Sequence, residues 1–262
     1  MAIIGMAVWD TEDNKRTKFT ELTLLSLAKT VNWDRHRLII SDNGSCPATH
    51  ELYESMKSVL PFELILNGEN IGTANAINLA WKRRLPGEHA LKIDNDVVIH
   101  AAGWADQMEE VFKRDPQIGI CGLKRKDLDE CPTSPVSWYR STLRMLPHET
   151  GQRWIIVEEV FHVMGTCQGY SSRLLERIGY LYQMGGVYGF DDSLSAVRAT
   201  VAGFKSAFLP HIEIDHVDPG GDAFTVWKQQ YAGARIQAHN ALKIAYISGK
   251  EPIFYDGGFN DA

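Results

Sequence analysis

Apolar positions in the first half of the chain alternate between two spacings. Ile3 to Val8 is a short, nearly continuous apolar run suited to a strand buried on both faces. Leu24, Leu27, Ala28 and Val31 then recur at i, i+3, i+4 and i+7, which predicts one face of a helix. Arg37 to Ser41 reads as a second strand, ended by the turn-forming Asp42-Asn43-Gly44-Ser45. Pro47 to Val59 reads as a helix with proline in its first turn. Phe62 to Leu66 gives a third strand, Ala74, Ile77 and Trp81 a helix face, and Ala90 to Ile93 a fourth strand. A helix ending near Asp115-Pro116 and a strand at Ile118 to Cys121 follow.

Strand and helix alternating through short links predict an α/β fold: a mostly parallel, Rossmann-like central sheet with helices on both faces. Such sheets bind ligands at the carboxyl ends of their strands, so chemistry is expected in the polar loops after strands one, two and four. Regularity weakens from Lys124 to about Glu158, a polar stretch with Pro132, Pro135 and Pro147 that reads as an excursion carrying short elements. Regular pattern resumes at Val160 to Met164, and a helix is expected from about Phe224 to Ile247. With no repeat, low-complexity tract or linker, the chain reads as a single domain over residues 1–262.

Composition narrows the partners. The 262 residues are 44% hydrophobic and 23% charged, enough for a sizeable core. A formal net charge of -6 gives no support for broad electrostatic binding to nucleic acid or anionic membrane. Cys46, Cys121, Cys131 and Cys167 form no C-x-x-C pair, so zinc-ribbon and redox readings have no foothold, and reduced thiols in a cytoplasm are expected. The apolar N-terminal run is too short to span a bilayer and lacks a basic flank and cleavage site. A cytoplasmic protein with no transmembrane segment is the expectation.

The sharpest chemical signal is Lys92-Ile93-Asp94-Asn95-Asp96, where an apolar strand opens into a loop. Strand interiors avoid Asp and Asn, and paired hard oxygen ligands suit Mg²⁺ or Mn²⁺ against a diphosphate. A turn is the alternative. Asp42 stands at another strand end, and Asn70, Gly72 and Asn75 open a helix whose N-terminus suits close approach by a ribose or phosphate; turn and helix-cap roles stay open for both segments. Asp191 and Asp192 open a further helix, as an acidic N-cap pair or as a general base at the mouth of a pocket. Ile212 to Val217 ends a strand with His216, structural or a metal ligand.

In this order the segments resemble the family-2 glycosyltransferases of GT-A fold over about residues 3–217. The resemblance is carried by D-N-G-S at Asp42 to Ser45, the Asn70 to Ala80 stretch, D-x-D at Asp94 to Asp96, Gly103-Trp104, Asp115-Pro116, Gly165, Arg173, Ile178-Gly179, the Asp191-Asp192 pair followed by Leu194 and Arg198, Ala202 to Lys205 and His216. It implies that Asp42 reads the nucleobase, uracil being favoured, with Val8 and Asp10 as further base-side candidates from the first loop. Asp94 and Asn95 would sit by the ribose and metal, Asp96 and His216 would ligate Mn²⁺ or Mg²⁺, and Asp94 would assist. Asp192 takes the place of the catalytic base through its spacing to Arg198, with Asp191 beside it. Residues 1–122 would form the nucleotide-sugar half, 123–221 the acceptor half, and 222–262 a C-terminal helix and tail.

The implied reaction is inverting transfer of one sugar from a nucleoside-diphosphate sugar, UDP-linked by preference, to an acceptor hydroxyl. The sequence lacks the Q-x-x-R-W motif and membrane helices of processive synthases. Pro219 to Asp222 reads as a hinged lid or a plain loop. Trp138, Tyr139, Arg140, Arg144 and Trp154 are available to shape the acceptor side, where a saccharide or glycoconjugate is expected. A modified base in DNA is a further candidate acceptor, disfavoured by the acidic charge balance. Two other classes stay open: a sugar-1-phosphate nucleotidyltransferase, against which the acidic first loop argues, and a non-catalytic nucleotide- or carbohydrate-binding protein, against which Asp94, Asp96 and Asp192 argue.

Overall fold

The computed structural model describes residues 1–127, 141–147, 153–218, 220 and 223–258. The first half follows the periodicity: β1 (Ala2–Val8), α1 (Thr17–Thr30), β2 (His36–Asp42), α2 (Pro47–Met56), β3 (Phe62–Leu66), α3 (Thr73–Trp81), β4 (His89–Asp94), β5 (Val97–Ile99), α4 (Trp104–Arg114) and β6 (Ile118–Arg125). The second half is β7 (Thr142–Met145), β8 (Ile156–Val160), β9 (Cys167–Tyr170), α5 (Ser172–Ile178), α6 (Asp191–Val201), β10 (Lys205–His216), α7 (Ala223–Gly233) and α8 (Ile236–Ile247).

Among the described residues these strands form one sheet in the order β3-β2-β1-β4-β9-β6-β10-β8-β7, with β5 pairing separately with β10. β1 runs parallel to β2 and β4, and β2 parallel to β3, so Val8, Asp42 and Asp94 reach the same edge of the sheet. Alternation along β1 sends Ile4, Met6 and Val8 into a core with Leu24 and Leu27 of α1, Tyr53 of α2 and Trp104 and Met108 of α4. Ile3 faces the other way, into a core with Ile77 and Trp81 of α3, Leu174 of α5 and Ala199 of α6. The two-faced packing expected of an α/β sheet is present. Burying these aliphatic and aromatic side chains is worth roughly 1.5–3 kcal/mol each.

Two expectations change. The apolar run Val160 to Met164 does not continue as a strand: β8 ends at Val160, and the next strand is Cys167–Tyr170, wedged antiparallel between β4 and β6. Val163 is buried but Phe161 is exposed, and residues 161–166 form no strand. The closing helix is two helices, interrupted after Gly233, a residue that weakens helix interiors. The polar excursion carries short elements as expected, the paired strands β7 and β8, which extend the sheet beyond β10. No described helix is long and apolar enough to cross a membrane. Cys46, Cys121 and Cys167 are free thiols; Cys131 lies outside the described residues.

Candidate active site

A cavity of about 280 Å³ opens at the carboxyl edge of β1 and β4. Its wall includes Val8 and Trp9 after β1, Asn43 after β2, Asn70 and Thr73 at α3, Lys92 to Asp96, Gly165, Tyr188 to Asp192, His216, and Phe224, Trp227 and Lys228 of α7. The sequence-predicted Val8, Asn70, Asp94, Asn95, Asp96, Asp191, Asp192 and His216 therefore converge on one space, from segments more than 200 residues apart. Strand pairing explains the longest reach. β5 turns back antiparallel to β10, placing His216 opposite Val97 and Val217 N–H on the Asp96 carbonyl at 2.9 Å.

His216 Nε2 stands 3.5 Å from Asp96 Oδ2. Asp218, two residues on, completes a trio with Asp96 and His216 whose ligand atoms all lie within 4.8 Å of one another. Asp96 Oδ1 is buried with no hydrogen-bond partner. Two carboxylates, one imidazole and an unsatisfied oxygen fit a divalent cation such as Mn²⁺. Arg16 also contacts Asp96, and reaches Asp218 at 3.1 Å, where Lys228 lies at 2.9 Å. Burial raises the Asp96 carboxyl, but the His216 hydrogen bond and charge, with Arg16 and Lys228, outweigh it and hold the group below its ordinary value.

Asp94 stands outside that trio. It stays on β4, facing Lys92 at 3.8 Å, while the turn carries Asp96 towards β10. Burial, only partly opposed by Lys92 and reinforced by Asp96 and Asp191, pushes Asp94 up to about 7. A bound cation acts in the opposite direction.

The two consecutive acids at the start of α6 differ in their partners. Asp191 Oδ2 accepts from Lys92 Nζ at 2.7 Å. Asp192 Oδ2 accepts from Gly165 N–H at 3.0 Å and lies 3.2 Å from His162 Nε2. The Asp192 side chain is 24% exposed, against 10% for Asp191. Burial raises Asp192, yet His162, Lys92 and the Ser193 N–H together hold it well below the usual carboxylate range. Phe190, just before the pair, takes a left-handed φ of 69°, uncommon outside glycine and often found at functional sites. Arg198 is fully buried and anchors α6 by donating to the carbonyls of Ile178, Tyr180 and Ile253.

The other predicted residues are placed around this space. Asp42 is buried outside the cavity wall, its oxygens accepting from Gly44 and Ser45 N–H and, at 2.8 Å, from Tyr53 O–H. Asp10 is also off the wall, receiving Thr20 O–H at 2.6 Å and Asn95 Nδ2 at 2.9 Å; burial, outweighing these bonds and Arg16, pushes it up to about 6. Asn75 donates to the Ile71 carbonyl at 2.9 Å, one turn back. Gly72 has φ +91°, and a Cβ there would stand 2.6 Å from Gln183 Oε1, which accepts the Ala74 N–H that opens α3. Arg144 is paired at the sheet edge with Asp115 and Glu159, and Trp154 is exposed away from the wall. Trp138, Tyr139, Arg140, Pro219, Gly221 and Asp222 lie outside the described residues.

Pattern reading missed Lys92, Arg16, His162, Asp218 and the aromatic wall. Trp9 lies 5.7 Å from Trp227, which lies 6.0 Å from Tyr188 and 5.6 Å from Phe224. The available signals were a lysine inside an apolar strand and the His-x-Asp spacing of His216 and Asp218.

With this geometry in place, the sequence matches Glycosyl transferase family 2 over residues 14–179. The chain belongs to that family. Its fold is that of GT-A glycosyltransferases. A mannosyltransferase, PcManGT from Pyrobaculum calidifontis, solved with GDP-Man and Mn²⁺, superposes with a TM-score of 0.67 at 17% identity, over 93% of this chain and 64% of its own. S. aureus TarS 1-349 with UDP-GlcNAc gives 0.60 at 16% identity, over 85% and 62%. GalNAc-T7 with UDP, GalNAc and Mn²⁺ gives 0.59 at 11% identity, over 82% and 43%. The chain thus spans less than two thirds of the length of each of these structures. No curated protein matches it by sequence. Family membership favours the glycosyltransferase reading over the nucleotidyltransferase one.

Proposed function

We propose that this glycosyltransferase moves one sugar from a nucleoside-diphosphate sugar, UDP-linked by preference, to an acceptor hydroxyl with inversion at the anomeric carbon, and that it requires a divalent cation. The observation that carries this is the convergence of Asp96, His216 and Asp192 on one cavity, with Asp218 beside Asp96 and His216. The structural neighbours solved with GDP-Man and Mn²⁺, or with UDP, GalNAc and Mn²⁺, support the choice of donor class and metal. Because Asp42 lies off the wall, we assign the direct base contacts to Val8, Trp9, Asn43 and Asn70, with Asp42 holding the turn that presents Asn43.

In this reading Asp96, His216 and Asp218 hold Mn²⁺ or Mg²⁺. The cation supplies Lewis-acid stabilisation of the departing diphosphate. Asp94 and Asn95 face the ribose. Asp192 takes the proton from the acceptor oxygen as that oxygen attacks the anomeric carbon, and one displacement inverts the centre. Trp9, Tyr188, Phe224 and Trp227 wall the cavity and exclude water from it. A saccharide or glycoconjugate is the proposed acceptor.

A panel of nucleotide sugars incubated with the protein and Mn²⁺ tests this through release of free nucleoside diphosphate. UDP release from at least one UDP-sugar is expected, exceeding that from GDP- or ADP-linked donors. NMR of the transferred product should show the anomeric configuration opposite to the donor's. Retention of configuration would remove Asp192 from the role of base in a single displacement.

A further inference from the structure

Lys92 sits where the strand pattern calls for an aliphatic residue. Leu91 and Ile93 on either side are fully buried, and Lys92, on the opposite face of β4, is only 3% exposed. An ammonium so placed needs a bonded counter-charge. Its Nζ lies 2.7 Å from Asp191 Oδ2 and 3.8 Å from Asp94 Oδ1. Gly165 sits between this ammonium and the next carboxylate: a Cβ there would stand 3.1 Å from Lys92 Nζ and 3.3 Å from Asp192 Oδ2. Two consecutive acids are thereby given different partners, Lys92 for Asp191, and Gly165 N–H and His162 for Asp192.

We propose that Lys92 is a positioning residue for sugar transfer: its ammonium binds Asp191 and holds that carboxylate against β4, leaving Asp192 on its own partners to receive the acceptor proton. The proposal rests on Asp192 being the base. Without that ammonium the buried Asp191 carboxylate loses its bonded counter-charge and competes for Gly165 N–H and His162, the partners that hold Asp192.

The test compares Lys92→Met, Lys92→Arg, Asp191→Asn, Asp192→Asn and the double variant Lys92→Met/Asp191→Asn, measuring kcat at saturating donor and UDP affinity by calorimetry. Lys92→Met is expected to lose at least about tenfold in kcat, part of the 10²–10⁴-fold that general-base catalysis supplies, with UDP affinity preserved. Lys92→Arg keeps more of kcat, since it keeps the charge. In the double variant position 191 carries no charge to compete for those partners, so kcat returns to that of Asp191→Asn alone. A double variant reduced by the product of the two single effects overturns the proposal, as does Lys92→Met with weakened UDP binding and unchanged kcat. If Lys92→Met does not fold, the double variant, free of an unpaired buried carboxylate at position 191, decides by comparison with Asp191→Asn. Asp192→Asn separates the two claims: wild-type transfer there sinks the base assignment, whereas a loss there with no rescue in the double variant sinks only the role of Lys92.

Discussion

Asp191 and Asp192 are neighbours in sequence with different surroundings, and the chemistry assigned to them follows from that difference. Asp192→Asn should bind donor normally and transfer sugar about 10²–10⁴-fold more slowly. Asp191→Asn should retain much more activity. Either change touches the first turn of α6, where losing a favourable acid costs on the order of 1 kcal/mol, and Asn keeps size and some capping ability. Transfer rates at saturating donor, set beside donor affinities, check this; a near-wild-type Asp192→Asn with a dead Asp191→Asn would place the base at Asp191. Both acids were legible because carboxylates at a helix start following Gly-Gly-Val-Tyr-Gly-Phe are conspicuous in sequence. So were Asp94 and Asp96, since strands avoid them. Asp42 shows the limit. The residue types that bind ligands at strand ends also make turns, and only packing shows that Asp42 spends its oxygens on Gly44, Ser45 and Tyr53. Lys92 was not legible as a site residue because its partner comes 99 positions later.

At the level of elements, the site depends on pairings that periodicity does not encode. β1 to β4 could be read from their apolar runs because parallel strands are buried on both faces. β9 could not: its Cys-Gln-Gly-Tyr sequence has a polar centre, and Gln168 is tolerated in the core because it donates to the Val163 carbonyl and accepts from Tyr170 O–H. The C-terminal helices show a further dependence. His239 of α8 stacks on Phe190 at 4.1 Å and lies 3.0 Å from Ser193 Oγ, docking α8 against the start of α6. Burial, then Lys243, push its pKa down to about 4 from 6.5. A depressed folded-state value contributes stability that is complete above the unfolded value and is lost as pH falls through the folded one. Acidification from pH 7 to about 4.5 should therefore remove on the order of 2 kcal/mol through this group. Thermal melts at both pH values check it: His239→Gln should lose less on acidification than the wild type. Equal losses would show that His239 does not carry the dependence.

For the molecule as a whole, fold class and family could be read from the order of weak motifs, and the structure adds how they meet. A sheet whose parallel half delivers Val8 and Asp94 to one edge, and whose β5–β10 pairing returns His216 to Asp96, gathers distant polar residues around one cavity. The cations Arg16 and Lys228 and the aromatic rings of α7 come from beyond the strands that signalled the site, which is why the sequence did not announce them. The central claim is that this cavity binds a nucleoside diphosphate through a divalent cation held by Asp96 and His216. Calorimetric titration of UDP into the protein, once with Mn²⁺ and once with a chelator, tests it most directly. The account predicts binding with Mn²⁺ that is lost in chelator. Equal affinity in the two conditions would contradict it.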